Sequence, residues 1–362
     1  MSGDDRATAA VDAATSVEIP ESLDELLTPA WLTSALSLRF PEINVTTVTR
    51  GPVVERVSTN ARFRIDCSPE VPPGLSPDLC VKGYYAEPSR TLGQAGVPEA
   101  TFYRDLAHDT GVHTLRSVWA DVHPQTGHGV VITEDVIAGG GEFLDALAPY
   151  SVEQVASTLG EFARLHAFGQ KNPERANAAW LTPRIAGTMQ MRGVPEIQGN
   201  FNGPNGVGVP PEIRNPERLI DAVRALGARR PGPGWTVIHG DAHVGNIFLD
   251  ASGRPGLLDW QLVQYGHWSI DVGYHIASAL EPAERAGAER DLLLHYLDRL
   301  RSEGVDAPTF DDAWLEYRRG LAYGFYLWAI TLFVHPDIIT ALLHRLGSAA
   351  VDLESYAAIE DL

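Results

Sequence analysis

The stretch His239-Gly240-Asp241-Ala242-His243-Val244-Gly245-Asn246 decides how the chain folds around it, together with the Leu257-Leu258-Asp259-Trp260 that follows. The first eight residues are too rich in glycine and polar side chains for a helix, so they read as a loop that turns Asp241 and Asn246 towards one point. Behind the loop, Ile247-Phe248-Leu249 reads as a short strand, Asp250 to Pro255 as a turn and Gly256-Leu257-Leu258 as a returning strand. That hairpin would bring Asp259 back beside Asn246.

Two carboxylates and an amide at one point suit phosphoryl transfer. One carboxylate orients the attacking hydroxyl and takes its proton, and hard oxygen donors hold magnesium on the phosphates. The pattern His-Gly-Asp, four residues, Asn, then a strand ending in Asp resembles the aminoglycoside phosphotransferase and choline kinase-like family of the protein-kinase-like superfamily. The resemblance runs from about Val45 to Leu346. It implies that Asp241 is the catalytic base, that Asn246 and Asp259 are magnesium ligands, and that His239 braces the loop. A rival reading takes His239, Asp241 and His243 as the metal cluster of a hydrolase, because the H-x-D-x-H spacing suits zinc or a dimetal centre.

Composition narrows the partners. The 362 residues are enough for two domains, and 44% hydrophobic residues is the proportion of a soluble globular protein. A net charge of −19 disfavours nucleic acid and anionic membrane surfaces as partners, since both demand a basic face; it tolerates a cationic small molecule. The longest apolar run, Phe325 to Val334, is too short to span a bilayer, and the N-terminus opens with Ser2-Gly3-Asp4-Asp5 in place of a basic leader. Cys67 and Cys80 form no disulfide framework. A cytoplasmic protein with reduced thiols is expected.

Taken in order, residues 1–20 lack periodicity and read as a disordered tail, followed by an N-lobe over 21–135. Ser22 and Thr28-Pro29 mark helix starts, with Trp31, Leu32, Ala35 and Leu36 as an apolar stripe. Strands are expected over 45–50, 61–67, 78–85, 118–121 and 129–133. The resemblance makes 51–60 the loop over the phosphates, and it departs from a Gly-rich loop: only Gly51 is present, leaving Ser58 and its neighbours as the cofactor-binding groups. Lys82 lies in an apolar strand and needs a partner. By the resemblance it binds the nucleotide phosphates and pairs with Glu99, and the main chain of Glu134 and Asp135 meets the base.

Residues 136–150, with Gly139-Gly140-Gly141, read as hinge and linker, and 151–362 as the C-lobe. Ser151 opens a helix to Ala167 whose His166 is a hydrogen-bonded core residue, and 186–216 is a Gly/Pro-rich excursion, either a lid on the acceptor site or a surface insertion. Further helices are expected over 217–228, 289–302, 310–335 and 336–346, and Asp271 caps its helix or hydrogen-bonds the catalytic loop. The aromatics from Trp314 to Phe333 pack a core or line the acceptor pocket.

The expectation is therefore an α+β, bilobal protein-kinase-like fold with a small antiparallel-sheet N-lobe and a larger, mainly helical C-lobe. It would bind Mg2+ and ATP, or GTP in its place, between the lobes and phosphorylate a hydroxyl of a small molecule. Antibiotics, alcohols, sugars, steroid-like molecules and acyl acceptors stay open, as does the oligomeric state. A non-catalytic nucleotide-binding pseudokinase is the alternative, against which stands the joint presence of Lys82, Glu99, Asp241, Asn246 and Asp259.

Overall fold

The protein is described by a computed structural model covering residues 17–86, 89–188, 191–360 and 362. Those residues fall into two units, one within residues 1–106 and 115–138 and the other within residues 107–114 and 139–362. Of the tail expected over 1–20, residues 1–16 lie outside the described residues. The remainder is docked: Ile19 is buried, and the Glu18 carbonyl accepts from Trp31 Nε1 at 2.7 Å.

The first unit is a five-stranded antiparallel sheet. Its strands are β1 (Val45–Glu55), β2 (Thr59–Cys67), β3 (Asp78–Gly83), β4 (Ser117–Val122) and β5 (Gly129–Glu134), in the order β1-β2-β3-β5-β4. Period-2 alternation sends Ala61, Phe63 and Ile65 of β2, with Leu79 and Val81 of β3, into one core. The Pro29–Ser37 helix closes that face with Leu32, Ala35 and Leu36, after Thr28 caps it by accepting from Trp31 N–H. Residues 51–60 are not the open loop the sequence suggested. β1 runs through Gly51 to Glu55 past a register shift between Arg50 and Val53, and β2 starts at Thr59, so only a tip of three residues, Arg56, Val57 and Ser58, lies outside the strands. The β-branched pair Val53-Val54 extends the strand where the glycine-rich sequence of a flexible loop is missing.

The second unit is mainly helical. A capping box at Ser151 and Gln154 opens the Val152–Lys171 helix. Residues 139–141 lead directly into β6 (Glu142–Phe143), which pairs with β8 (Ile247–Leu249); β8 in turn pairs antiparallel with β9 (Pro255–Leu257). A second ladder joins β7 (Trp235–Ile238) to β10 (Gln264–His267), and β10 carries no β-branched residue that would have announced it.

The other long helices are Pro216–Ala228, Ser269–Ala279, Pro282–Ser302, Phe310–Ala329 and Pro336–Asp352. Helix 310–329 stops six residues short of the expected His335. Ile330 and Thr331 are β-branched, His335 precedes a proline, and the released carbonyls find other donors: Asn200 Nδ2 reaches Ala329 O at 2.8 Å and Thr331 O at 2.9 Å, while Arg192 reaches Ile330 O. Those donors come from the 186–216 excursion, which is folded and not aperiodic, with a helix at Val194–Asn202 whose Ile197 and Phe201 are buried. Most of the aromatic segment is core: Tyr317, Tyr323, Phe325 and Tyr326 are buried, and Phe333 alone among the named rings stands out, 88% exposed. No helix among the described residues is long and apolar enough to cross a membrane.

Candidate active site

Gly240 sits at φ +80°, and a Cβ there would come within 2.4 Å of Leu262 O and 2.9 Å of Gln264 Nε2, so the turn between β7 and the loop has room for glycine only. The amides of His239 and Gly240 are held from below. The Asp271 carboxylate, fully buried, accepts His239 N–H at 2.7 Å and Gly240 N–H at 2.8 Å, and it meets His166 Nε2 at 3.1 Å; His166 Nδ1 meets Tyr296 OH at 2.9 Å. Asp271 thus braces the loop, and His166 is the satisfied core histidine expected.

Above this brace the loop presents its chemistry. Asp241 is 27% exposed, open enough to meet a substrate. Asn246 donates from Nδ2 to Asp241 O at 2.9 Å and to Asp241 Oδ2 at 3.0 Å, which directs its own carbonyl oxygen away from the aspartate. Tyr274 OH donates to Asp241 Oδ1 at 3.1 Å and itself accepts from Trp328 Nε1 at 2.6 Å. The sequence offered Trp328 only as one of the aromatics between Trp314 and Phe333 and gave Tyr274 no role, because the two lie on separate helices far along the chain.

The hairpin returns Asp259 as the spacing suggested. Leu258 N–H donates to Asn246 O at 3.1 Å, and Asp259 follows in a left-handed conformation, φ 65° and ψ 67°, before the turn at Trp260. A non-glycine residue held there is a costly backbone state that persists only when its surroundings over-determine it. Those surroundings are strong: Leu257 N–H donates to His113 O at 2.8 Å, Thr114 Oγ1 to Leu257 O at 2.7 Å, and Trp260 Nε1 to Thr114 Oγ1 at 2.9 Å. The buried Glu161 adds a clamp, accepting from His113 N–H at 2.8 Å and from Arg254 Nη2 at 2.8 Å.

The hydrolase reading of His239, Asp241 and His243 does not survive this geometry. His239 spends both ring nitrogens on the main chain, Nδ1 accepting Asp241 N–H at 3.2 Å and Nε2 facing Leu258 O at 2.9 Å. His243 Nδ1 accepts Gly245 N–H at 3.1 Å, and no group of three or more His, Cys, Asp or Glu among the described residues is placed to hold a metal ion. Burial lowers the His243 pKa, with Asp241 and Asp259 opposing, so it is a neutral ring. A hard-cation site is a different matter. The hairpin ladder sets the backbones of Asn246 and Asp259 near each other, and an amide oxygen with a carboxylate is the kind of hard donor set that magnesium takes.

In the sheet unit, Lys82 Nζ lies 2.7 Å from Glu99 Oε2, with Glu99 buried in the first turn of the Val97–Asp105 helix. Ser58, at the hairpin tip, is buried and its Oγ accepts from Asn60 Nδ2 at 3.2 Å. Glu134 Oε1 accepts from Ser76 N–H at 3.1 Å and pairs with Arg116 at 3.0 Å. Asp135 is buried, bonded to Arg62 Nε at 2.5 Å and to Ile137 N–H at 2.9 Å. Main-chain N–H of Glu134 and Asp135 is committed to Arg116 O and Asp78 O, which narrows what these two residues offer a ligand to their carbonyl oxygens.

Residues 97–307, more than half of the chain, match the sequence model of a family described as the phosphotransferase enzyme family. The chain belongs to this family. The matched range contains Glu99, Asp241, Asn246, Asp259 and Tyr274 but neither Lys82 nor Trp328. With it, the antiparallel-sheet unit and the helical unit are those of the protein-kinase-like fold that the loop motif resembled. A methylthioribose kinase of Bacillus cereus is 32% identical over 93 residues, which is 22% of this chain and 23% of that protein. The chain thus matches about a quarter of the length of the curated relatives it resembles. Among solved structures, the GDP complex of aminoglycoside 2'-phosphotransferase-IIIa is similar at a TM-score of 0.47 and 14% identity, over 91% of this chain and 99% of that one. A choline/ethanolamine kinase family protein from Mesorhizobium loti is similar at 0.47 and 15%, over 86% and 93%.

Proposed function

We propose that the protein transfers the γ-phosphoryl group of ATP, or of GTP in its place, to a hydroxyl of a small molecule. The observation that carries this reading is the Asp241 carboxylate, part-exposed yet gripped at both oxygens by Asn246 Nδ2 and Tyr274 OH, on a loop whose hairpin returns a second carboxylate beside Asn246. A carboxylate so fixed orients the acceptor hydroxyl and takes its proton as the phosphoryl bond forms. Asn246 and Asp259 would hold magnesium, which neutralises phosphate charge when bound. Lys82, kept in place by Glu99, would meet the phosphates as a point charge. Ser58 would add its hydroxyl proton, and the carbonyls of Glu134 and Asp135 would meet the base.

Family membership supports the reaction class, and the named relative's kinase activity supports a small hydroxylated acceptor. Dependence on a cytosolic nucleotide and two free cysteines favour a cytoplasmic setting, and the charge of −19 argues against nucleic acid as acceptor. The deciding experiment measures ADP release from Mg-ATP and Mg-GTP against a panel of aminoglycosides, macrolides, amino alcohols, sugars and steroids, with product mass read for one added phosphate. A phosphorylated product is expected from at least one acceptor class. Magnesium-dependent nucleotide binding without ADP formation from any of them would favour the pseudokinase reading.

A further inference from the structure

Trp328 Nε1 lies 2.6 Å from Tyr274 OH, which lies 3.1 Å from Asp241 Oδ1, and the chemistry of the three groups gives this chain one direction. An indole nitrogen donates and never accepts, so the phenol oxygen must receive the Trp328 proton and turn its own hydrogen elsewhere. The acceptor within reach is the carboxylate of Asp241. Asp241 Oδ2 is meanwhile held by Asn246 Nδ2 at 3.0 Å, so each carboxylate oxygen receives one protein donor and keeps lone pairs for a substrate proton. We propose that Tyr274 and Trp328 are positioning residues, a one-way hydrogen-bond relay that fixes the rotamer of Asp241 for proton acceptance; this rests on the phosphotransfer reading above.

Three further observations support the relay. Burial, and then the neighbouring Asp241, push the Tyr274 pKa far up, so the phenol keeps the proton it must donate. Trp328 also stands edge-on to the His243 ring, centroids 5.3 Å apart at 79°, and His243 Nε2 lies 3.8 Å from the same Oδ1. Finally, Trp328 immediately precedes Ala329, whose carbonyl is taken by Asn200 of the 186–216 excursion. The relay therefore links the base to the segment where the Phe310–Ala329 helix ends.

The test uses the full-length protein with 15N in its tryptophan indoles, the Trp328 resonance being identified by its loss in Trp328→Phe. Asp241→Asn and Tyr274→Phe are each expected to displace that resonance, while those of Trp31 and Trp119 in the sheet unit stay in place as a folding control. An unmoved Trp328 resonance in Asp241→Asn overturns the relay. In turnover, with ADP formation from Mg-ATP measured against the acceptor panel, Tyr274→Phe should lower kcat about tenfold with KM for ATP unchanged, as removal of one hydrogen bond to a charged group predicts. Adding Trp328→Phe to Tyr274→Phe should cost little more, because both remove the same relay. A Tyr274→Phe variant with wild-type kcat, or two fully multiplicative losses, contradicts the proposal. If the wild-type protein forms no ADP, the phosphotransfer reading fails by itself, and the resonance shifts still decide whether the relay exists.

Discussion

Asp241 and Asp259 carry the same side chain on different backbones. Asp241 is gripped by neutral donors that fix its orientation, and Asp259 stands in a left-handed turn. As a base, Asp241 would contribute to turnover and little to nucleotide binding; as a metal ligand, Asp259 would contribute to both. Asp241→Asn should thus lower turnover by at least ~10²-fold, the low end for positioned general-base catalysis, and leave Mg-nucleotide binding nearly intact. Asp259→Asn should weaken magnesium-dependent binding as well. Calorimetry of Mg-ATP binding beside turnover separates the two, and equal loss of binding in both variants would reverse the assignment. The motif residues were legible because their spacing is local. The contacts of Tyr274 and Trp328 with Asp241 were not: 33 residues separate Tyr274 from Asp241 and 54 separate Trp328 from Tyr274, and no local period encodes such contacts.

At the scale of elements, the loop depends on the Ser269–Ala279 helix more than on its own strands. Asp271, in the first turn of that helix, accepts two loop amides at once from a fully buried position. An asparagine there has one acceptor oxygen for two N–H groups and turns an NH2 towards one of them. Asp271→Asn should therefore destabilise the protein by about 2–4 kcal/mol, the range for breaking a buried charged hydrogen-bond set. Asp250→Asn, at a part-exposed turn whose donors all reach Oδ1, an oxygen that asparagine keeps, should leave stability nearly unchanged. Urea unfolding measures both, and a loss below about 0.5 kcal/mol in Asp271→Asn would show that the brace is dispensable. Helices with local caps, such as the one opened by Ser151, were readable to within a few residues. The stop of the 310–329 helix and the folding of the 186–216 excursion were not, because each depends on the other: Asn200 and Arg192 take the carbonyls that the ending helix releases.

Over the whole molecule, buried ionisable groups set how stability responds to acid, and they act in one direction. Burial pushes His275 down to about 4 and His267 down to about 3, from an ordinary value of 6.5. An unfolded chain takes up protons at these positions from pH 6.5 downward, and the folded protein refuses them. Stability is therefore unaffected above pH 6.5 and is lost as pH falls towards 4. Each such histidine contributes a slope near 1.4 kcal/mol per pH unit, so His275 alone removes roughly 3 kcal/mol across its window. Glu161 adds to the loss at lower pH: burial raises its pKa, but Arg164, the His113 N–H and Arg254 together outweigh burial and lower it, so its stabilisation is present above the unfolded carboxylate range and disappears as pH falls through its folded value. His275→Gln isolates one contribution. Its Nδ1 partner is the Ala242 carbonyl at 3.0 Å, a bond that a glutamine amide is able to replace without a titrating proton. Unfolding free energy followed by urea from pH 7 to pH 4.5 should fall less steeply in the variant, by about 1 kcal/mol per unit. Parallel curves for variant and wild type would mean that burial does not keep His275 neutral in the folded protein.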